Sequence, residues 1–284
     1  MKNSSGKRSM ALVVGYCAAA LLIFFILRLI FGLAGFSFFL SSKKTTAETS
    51  SENAALADEE ITGLALKKMS GSAKIVLADV PHATIEAQNM PESFKWKVED
   101  GMLTASCGSE PNFFFHFFNG GRRAPRLTIT LPKDAHLTSV SLEGGAGDFT
   151  LHDLTADDLT VSMGVGELEL KKITAKNSCD FQGGTGDLSL IDCDLNNAKI
   201  SVGVGDLDLK GGLKGSCRLE GGVGDMELRL SGSESDYQIT TESGIGEVEL
   251  GGSDIKNATV GSADAKNRLH IKSGVGDVEI SFSR

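Results

Sequence analysis

The chain has 284 residues, room for one large domain or two small ones, and its 41% apolar and 23% charged content excludes a wholly disordered protein. Its net charge of −9 is unevenly spread: residues 1–44 hold six Lys/Arg and no acid, whereas residues 45–284 carry 22 basic against 37 acidic side chains. That balance argues against nucleic acid as a partner and fits cations or basic surfaces.

In chain order, the first predicted element is Met10–Leu27 (MALVVGYCAAALLIFFIL), an unbroken apolar run that stays largely apolar through Leu40. At about 1.5 Å per residue the first 18 residues span roughly 27 Å, close to a bilayer's hydrocarbon thickness. Residues 10–40 therefore read as a transmembrane anchor. A cleaved signal peptide is the rival, but the run is long for one and no A-x-A-like site follows. Lys2, Lys7 and Arg8 precede the run and place residues 1–9 as a cytoplasmic tail with the remainder extracytoplasmic, a bias that Lys43 and Lys44 weaken without reversing. Arg28 is expected to snorkel to the outer interface.

Residues 41–60 (SSKKTTAETSSENAALADEE) are polar and read as a flexible linker. From Ile61 the pattern turns β-like. FKWKV (94–98) and MLTAS (102–106) flank Asp100-Gly101, a hairpin signal, and LTITL (127–131) stops at Pro132. PNFFFHFFNGGRR (111–123) crowds five phenylalanines between Phe113 and Phe118, too many for one strand face. Either it caps the first coil of the repeat beyond residue 136, or it is a loop contacting membrane or partner.

That repeat fills the remainder. The acids that follow each G-x-G are Asp148, Glu167, Asp187, Asp206, Asp225, Glu247 and Asp277, spaced mostly by 19 or 20 residues, with insertions expected before the last two. Each acid is followed by Φ-x-Φ, as in Leu207-x-Leu209, and preceded at eight and six positions by a second alternating pair, as in Ala198 and Ile200. Each unit is thus two short strands meeting at the glycines Gly164/Gly166, Gly184/Gly186, Gly203/Gly205 and Gly222/Gly224. A unit this short cannot bury its apolar face alone, but stacked units can. An antiparallel meander also satisfies the pattern; the recurring period of 19 favours a parallel stack, which keeps every column in register.

The chemistry of the repeat is open to two readings. A dinucleotide loop needs a helix after the glycines, and strand follows here. Stacking would align the acids about 4.8 Å apart, and Asp187, Asp206 and Asp225 are then a candidate weak divalent-cation column. The alternative is structural: the acids accept backbone N–H bonds at the glycine corner. Glu169, Asp208, Glu227, Glu249 and Glu279 form a second column, with Lys171, Lys210 and Arg229 beside it to neutralise part of it. Cys179 and Cys217 share a column two coils apart, beyond disulfide reach. No C-x-x-C pair and no Ser/His/Asp or Cys/His grouping points to zinc or to nucleophilic catalysis.

The order of anchor, β-rich lead-in, LTITLPKDAHL (127–137) and serial GxG[DE]-Φ-x-Φ units resembles the bacterial DUF4097 family, often labelled "putative adhesin". The resemblance implies a surface-exposed β-solenoid, in some members linked to cell-envelope stress systems, with no catalytic residues to carry over. The fold expected is all-β, a parallel β-solenoid (β-helix) of 19–20-residue coils over 137–284. An N-terminal β-rich cap region (61–136) and one transmembrane α-helix precede it. The function expected is a non-enzymatic, single-pass membrane protein that needs no cofactor and binds an envelope protein or wall polymer outside the cell membrane. The alternative is an accessory or sensor protein of envelope stress signalling; a carbohydrate-active β-helix enzyme fits less well.

Overall fold

The computed structural model describes residues 50–56, 60–107 and 123–283. All belong to the second of two units, Glu48–Arg284. The expected cytoplasmic tail, transmembrane anchor and Phe113–Phe118 cluster lie outside the described residues. Among those described, no helix is long and apolar enough to cross a membrane.

In chain order the lead-in provides β1 (Ser50–Leu56), β2 (Gly63–Met69), β3 (Ser72–Ala78), β4 (Ala83–Met90), β5 (Lys95–Glu99), β6 (Met102–Ser106) and β7 (Arg126–Pro132). The repeat begins with β8 (Leu137–Ala146), β9 (Phe149–His152), β10 (Thr155–Val165), β11 (Leu168–Lys171) and β12 (Thr174–Thr185). It continues with β13 (Leu188–Asn196), β14 (Ala198–Val204), β15 (Leu207–Lys214), β16 (Ser216–Val223) and β17 (Met226–Ser231). A 3-10 turn at Glu234–Asp236 leads to β18 (Tyr237–Ile245), β19 (Val248–Leu250), β20 (Ser253–Asp254), β21 (Thr259–Gly261), β22 (Asn267–Val275) and β23 (Val278–Ser283).

The pairing is parallel and skips one strand each time, as a solenoid requires: β8–β10–β12–β14–β16 form one wall and β9–β11–β13–β15–β17 the next. The meander is thereby excluded. The period-two columns point inward as the sequence predicts. Leu168, Leu188, Leu207 and Met226 lie in one buried row, and Leu170, Leu190, Leu209 and Leu228 in another. Each fully buried leucine contributes about 1.5–3 kcal/mol, so the rows hold the stack. A short third side, missed in the sequence, closes each coil: Thr174 and Ala175 pair with Asp194 and Leu195, and Ile173, Cys193 and Leu195 are buried there.

The stacking order departs from the chain order at both ends. β22 lies between β16 and β18, and β23 between β17 and β19, so the last coil in sequence is an interior layer. Likewise β2 lies between β6 and β8, and β3 between β7 and β9. Residues 61–136, expected as a cap region, therefore also supply two layers of the stack. They lack G-x-G-[DE], because Ser70-Gly71-Ser72 makes the corner with one glycine.

The outermost edges are covered by antiparallel strands, which removes unpaired strand edges from the coils beneath. At one end β4 lies on β7, β1 on β4 and β5 on β6; at the other, β20 lies on β19 and β21 on β18. The Asp100-Gly101 hairpin forms as predicted, with both residues at positive φ. Residues 41–60, expected as a flexible linker, instead contain β1, because Leu56 finds a buried site and the strand an open edge on β4.

Candidate functional site

Each coil turns its first corner at the two glycines, and the geometry leaves no room for side chains. A Cβ on Gly205 would lie 2.2 Å from the Gly186 carbonyl oxygen, and one on Gly224 2.0 Å from that of Gly205. Gly166 and Gly186 stand in the same relation to the coil before, all four at φ between +133° and +141°. At the first glycine of each pair, a Cβ on Gly164, Gly184, Gly203 or Gly222 would lie 2.2–2.5 Å from a carbonyl oxygen of the preceding coil. The glycines are there for close backbone stacking.

The aspartates after the corners reach along the stack. Asp187 Oδ1 accepts the Asp206 backbone N–H at 2.9 Å, Asp206 Oδ1 accepts that of Asp225 at 2.9 Å, and Asp225 Oδ1 that of Asp277 at 2.8 Å. Asp277 bonds Glu247 in the same way at 2.8 Å, and Asp148 bonds Glu167 at 3.1 Å. The candidate cation column Asp187–Asp206–Asp225 is thus contiguous, with one oxygen of each carboxylate held by backbone. Among the described residues no group of three His, Cys, Asp or Glu side chains is placed to hold a metal ion.

The second acidic column also forms, and the swapped last coil changes only its order: Asp208, Glu227, Glu279 and Glu249 stand on successive layers. Arg229 bonds both Glu227 and Asp208, as anticipated. Lys210 turns instead to Asp192, at 3.3 Å.

On the outer face of the other wall lies a groove of about 530 Å³. Its floor is bare backbone at Gly183 and Gly184, and Ser162, Gln182 and Ser201 line it with hydroxyl and amide groups. Along it Asp180, Lys199, Arg218 and His270 occupy one column on successive layers, with Glu220 and Lys272 in the next column over. Arg218 Nε donates to Glu220, its Nη1 contacts His270 Nδ1 at 2.8 Å, and His270 Nε2 lies 3.2 Å from Glu242. The Arg218 guanidinium holds the Glu220 carboxyl below the usual carboxylate range. The Lys199 side chain makes no hydrogen bond or ion pair among the described residues. A lysine and an arginine on adjacent layers, about 4.8 Å apart, are thus exposed between Asp180 and Glu220 on a domain of net negative charge. The groove was not legible from the repeat, because its cations sit at positions that vary from coil to coil.

The thiols are structural. Cys107, Cys179, Cys193 and Cys217 are all free and buried, and burial pushes each thiol's pKa up, that of Cys193 to about 11. Low-pKa reactivity is absent from this set.

The family described as Toastrack DUF4097 matches residues 89–280. The chain belongs to this family. The Toastrack domain is similar to a crystal structure of a "putative cell adhesion protein" from Clostridium sporogenes ATCC 15579, at 18% identity and a TM-score of 0.40 over 83% of this chain and 100% of that one. It is also similar to a "putative adhesin" from Bacteroides fragilis NCTC 9343, at 14% identity and a TM-score of 0.45 over 82% and 98% of the two chains. A "putative lipid binding protein" from Parabacteroides distasonis ATCC 8503 is similar at 14% identity and a TM-score of 0.33, over 84% and 98%. No curated protein matches the chain.

Proposed function

We propose that this Toastrack protein is a non-enzymatic binding module, held outside the cytoplasmic membrane by residues 10–40, that engages an anionic, hydroxyl-rich envelope polymer. The groove over β12, β14 and β16 is the observation that carries the reading. Its paired cations at Lys199 and Arg218 suit phosphodiester or carboxylate groups, and its Ser162, Gln182 and Ser201 side chains suit polymer hydroxyls. The groove runs along the stacking direction, so a linear polymer can lie across several layers at once. The outward acids are tied into the repeat and do not converge on one reacting point, which supports binding over hydrolysis.

The test is co-sedimentation of the full chain with isolated cell walls, before and after chemical removal of their phosphodiester polymers. Binding is expected to fall sharply on removal and in the Lys199→Glu/Arg218→Glu variant. Undiminished binding in both cases would overturn the polymer reading. The alternative, an accessory subunit of envelope stress signalling, draws on an exposed aliphatic row at the glycine corners, which is suited to a protein partner.

A further inference from the structure

The residue between the two corner glycines forms its own column. From one end it reads Ala146, Val165, Thr185, Val204, Val223, Val275 and Ile245 on successive layers. Val165, Val204, Val223, Val275 and Ile245 are between 43% and 63% exposed, and they are the exposed large hydrophobic residues of the described region. All five therefore lie on one line. From Val165 to Ile245 it crosses six layers, five spacings or about 24 Å. Glycine on both sides of every member leaves the row standing clear as a ridge with backbone troughs beside it, bare except at Ile245, where Lys256 Nζ donates to the Gly244 and Gly246 carbonyls.

Strand formation does not require this composition. Thr185 occupies the same place in one coil, so a polar β-branched side chain fits. The aliphatic members bury little against the protein itself, and a contiguous exposed apolar row marks an interaction surface. Beside it the charge is mostly acidic, with Arg229 bonding Asp208 and Glu227 and Lys256 standing at the Ile245 end. Two residues on from the ridge stand Asp206, Asp225, Asp277 and Glu247, all exposed, and two further on stand Asp208, Glu227, Glu279 and Glu249.

We infer that the ridge docks a basic amphipathic helix of a partner protein, lying along the stack with its aliphatic stripe on the valines and its Lys/Arg flank on the acidic columns. Length and pitch agree with this occupant. About 16 residues of helix cover 24 Å, and the 5.4 Å helical pitch is close to the layer spacing of about 4.8 Å. The exposed carboxylates disfavour a second copy of the same face, because two such columns would repel.

The test uses the full chain in detergent and a labelled 18-residue helical peptide of leucine and lysine, with one apolar stripe bordered by lysines, read by fluorescence anisotropy. The triple variant Val204→Ser/Val223→Ser/Val275→Ser is expected to weaken binding about tenfold or more, and raising salt from 50 to 500 mM is expected to weaken it further. The groove variant Lys199→Glu/Arg218→Glu is expected to leave peptide binding unchanged, so this inference and the polymer reading fail separately. Near-UV and far-UV circular dichroism of the triple variant should match the wild type, since the substituted side chains are exposed. Equal binding by wild type and triple variant, or by a peptide with glutamate in place of lysine, would overturn the inference. So would a concentration-dependent dimer, or co-sedimentation with neutral-lipid vesicles, that the triple variant abolishes.

Discussion

Asp206 accepts the backbone N–H of Asp225 through Oδ1 at 2.9 Å, while its own N–H is held by Asp187 Oδ1 at 2.9 Å. Each of these aspartates thus stitches its coil to the next, and removing one leaves an N–H on the neighbouring coil without its acceptor. Asp206→Ala is expected to lower stability by about 1–2 kcal/mol. Asp206→Asn keeps a carbonyl acceptor at the same place and should lose less than half of that. Urea midpoints of the two variants compare them directly, and equal losses would mean that the charge, not the hydrogen bond, is what matters.

The same carboxylates bear on calcium. One oxygen of each is committed to backbone, so millimolar calcium is expected to leave the thermal midpoint unchanged. A rise that Asp187→Asn/Asp225→Asn removes would restore the cation column as a binding site.

Two neighbouring glycines make a sharp contrast. At Gly205 a Cβ would sit 2.2 Å from the Gly186 carbonyl oxygen in a backbone at φ +139°, whereas at Gly183 the nearest atom to an added Cβ is 3.7 Å away. Gly205→Ala is expected to cost about 3 kcal/mol or more, because backbone must move. Gly183→Ala should fall within about 1 kcal/mol of wild type. Chemical denaturation of the pair checks both.

The interior position of the last coil predicts an inverted order of sensitivity. Ile280 is fully buried between β17 and β19, while Leu250 in the outermost coil retains 8% exposure. Ile280→Ala is expected to cost about 2–5 kcal/mol, comparable with Leu209→Ala in the middle of the stack and more than Leu250→Ala. A serial stack would give the opposite ranking of Ile280 and Leu250, so the three unfolding free energies decide between the orders.

Burial raises the four thiols' pKa values, that of Cys193 from an ordinary 9.0 to about 11. Below pH 9 the thiols are protonated in both states and their contribution is complete. As pH rises toward 11, the unfolded chain ionises first, which favours unfolding. Stability is expected to fall between about pH 9 and pH 11, and Cys193→Ala should lessen that fall by about 1–2 kcal/mol. Parallel slopes for the variant and wild type would refute the assignment. Native thiols should also resist alkylation at pH 8 until the domain unfolds.

The repeat's inward columns were readable in the sequence because burial imposes a period of two on Leu207 and Leu209 and a period of 19 between coils. The same alignment offered backbone bonding as one of two roles for the acids, and the bonds run from coil to coil, to the N–H of the next acid. The first coil was harder to see, since Ser70-Gly71-Ser72 carries neither paired glycines nor an acid. Yet Leu64 and Leu66 stand nine residues before Ala73 and Ile75, the same offset that separates Leu159 and Val161 from Leu168 and Leu170. The exchange of layers at the ends left no local mark, because Asp277 and Glu247 offer identical corners to Asp225 and only the three-dimensional fit chooses between them. Val204 and Val223 carry no signal in the sequence for a different reason: an exposed valine between glycines looks like filler until its neighbours in space are known.

The exchange of layers also bears on how such a domain can change length. A simple serial stack grows by appending a coil to its open end. Here the first and last coils in sequence are clasped between others, and the outermost layers wear antiparallel covers, so neither end offers a landing place for a new unit. Lengthening has to proceed by duplicating a 19-residue unit within 137–231, where Gly, Asp and Leu recur in step and any added layer meets matching neighbours above and below. Each such duplication would extend the valine ridge and both acidic columns by one step, so the domain's reach and its outer surface change together.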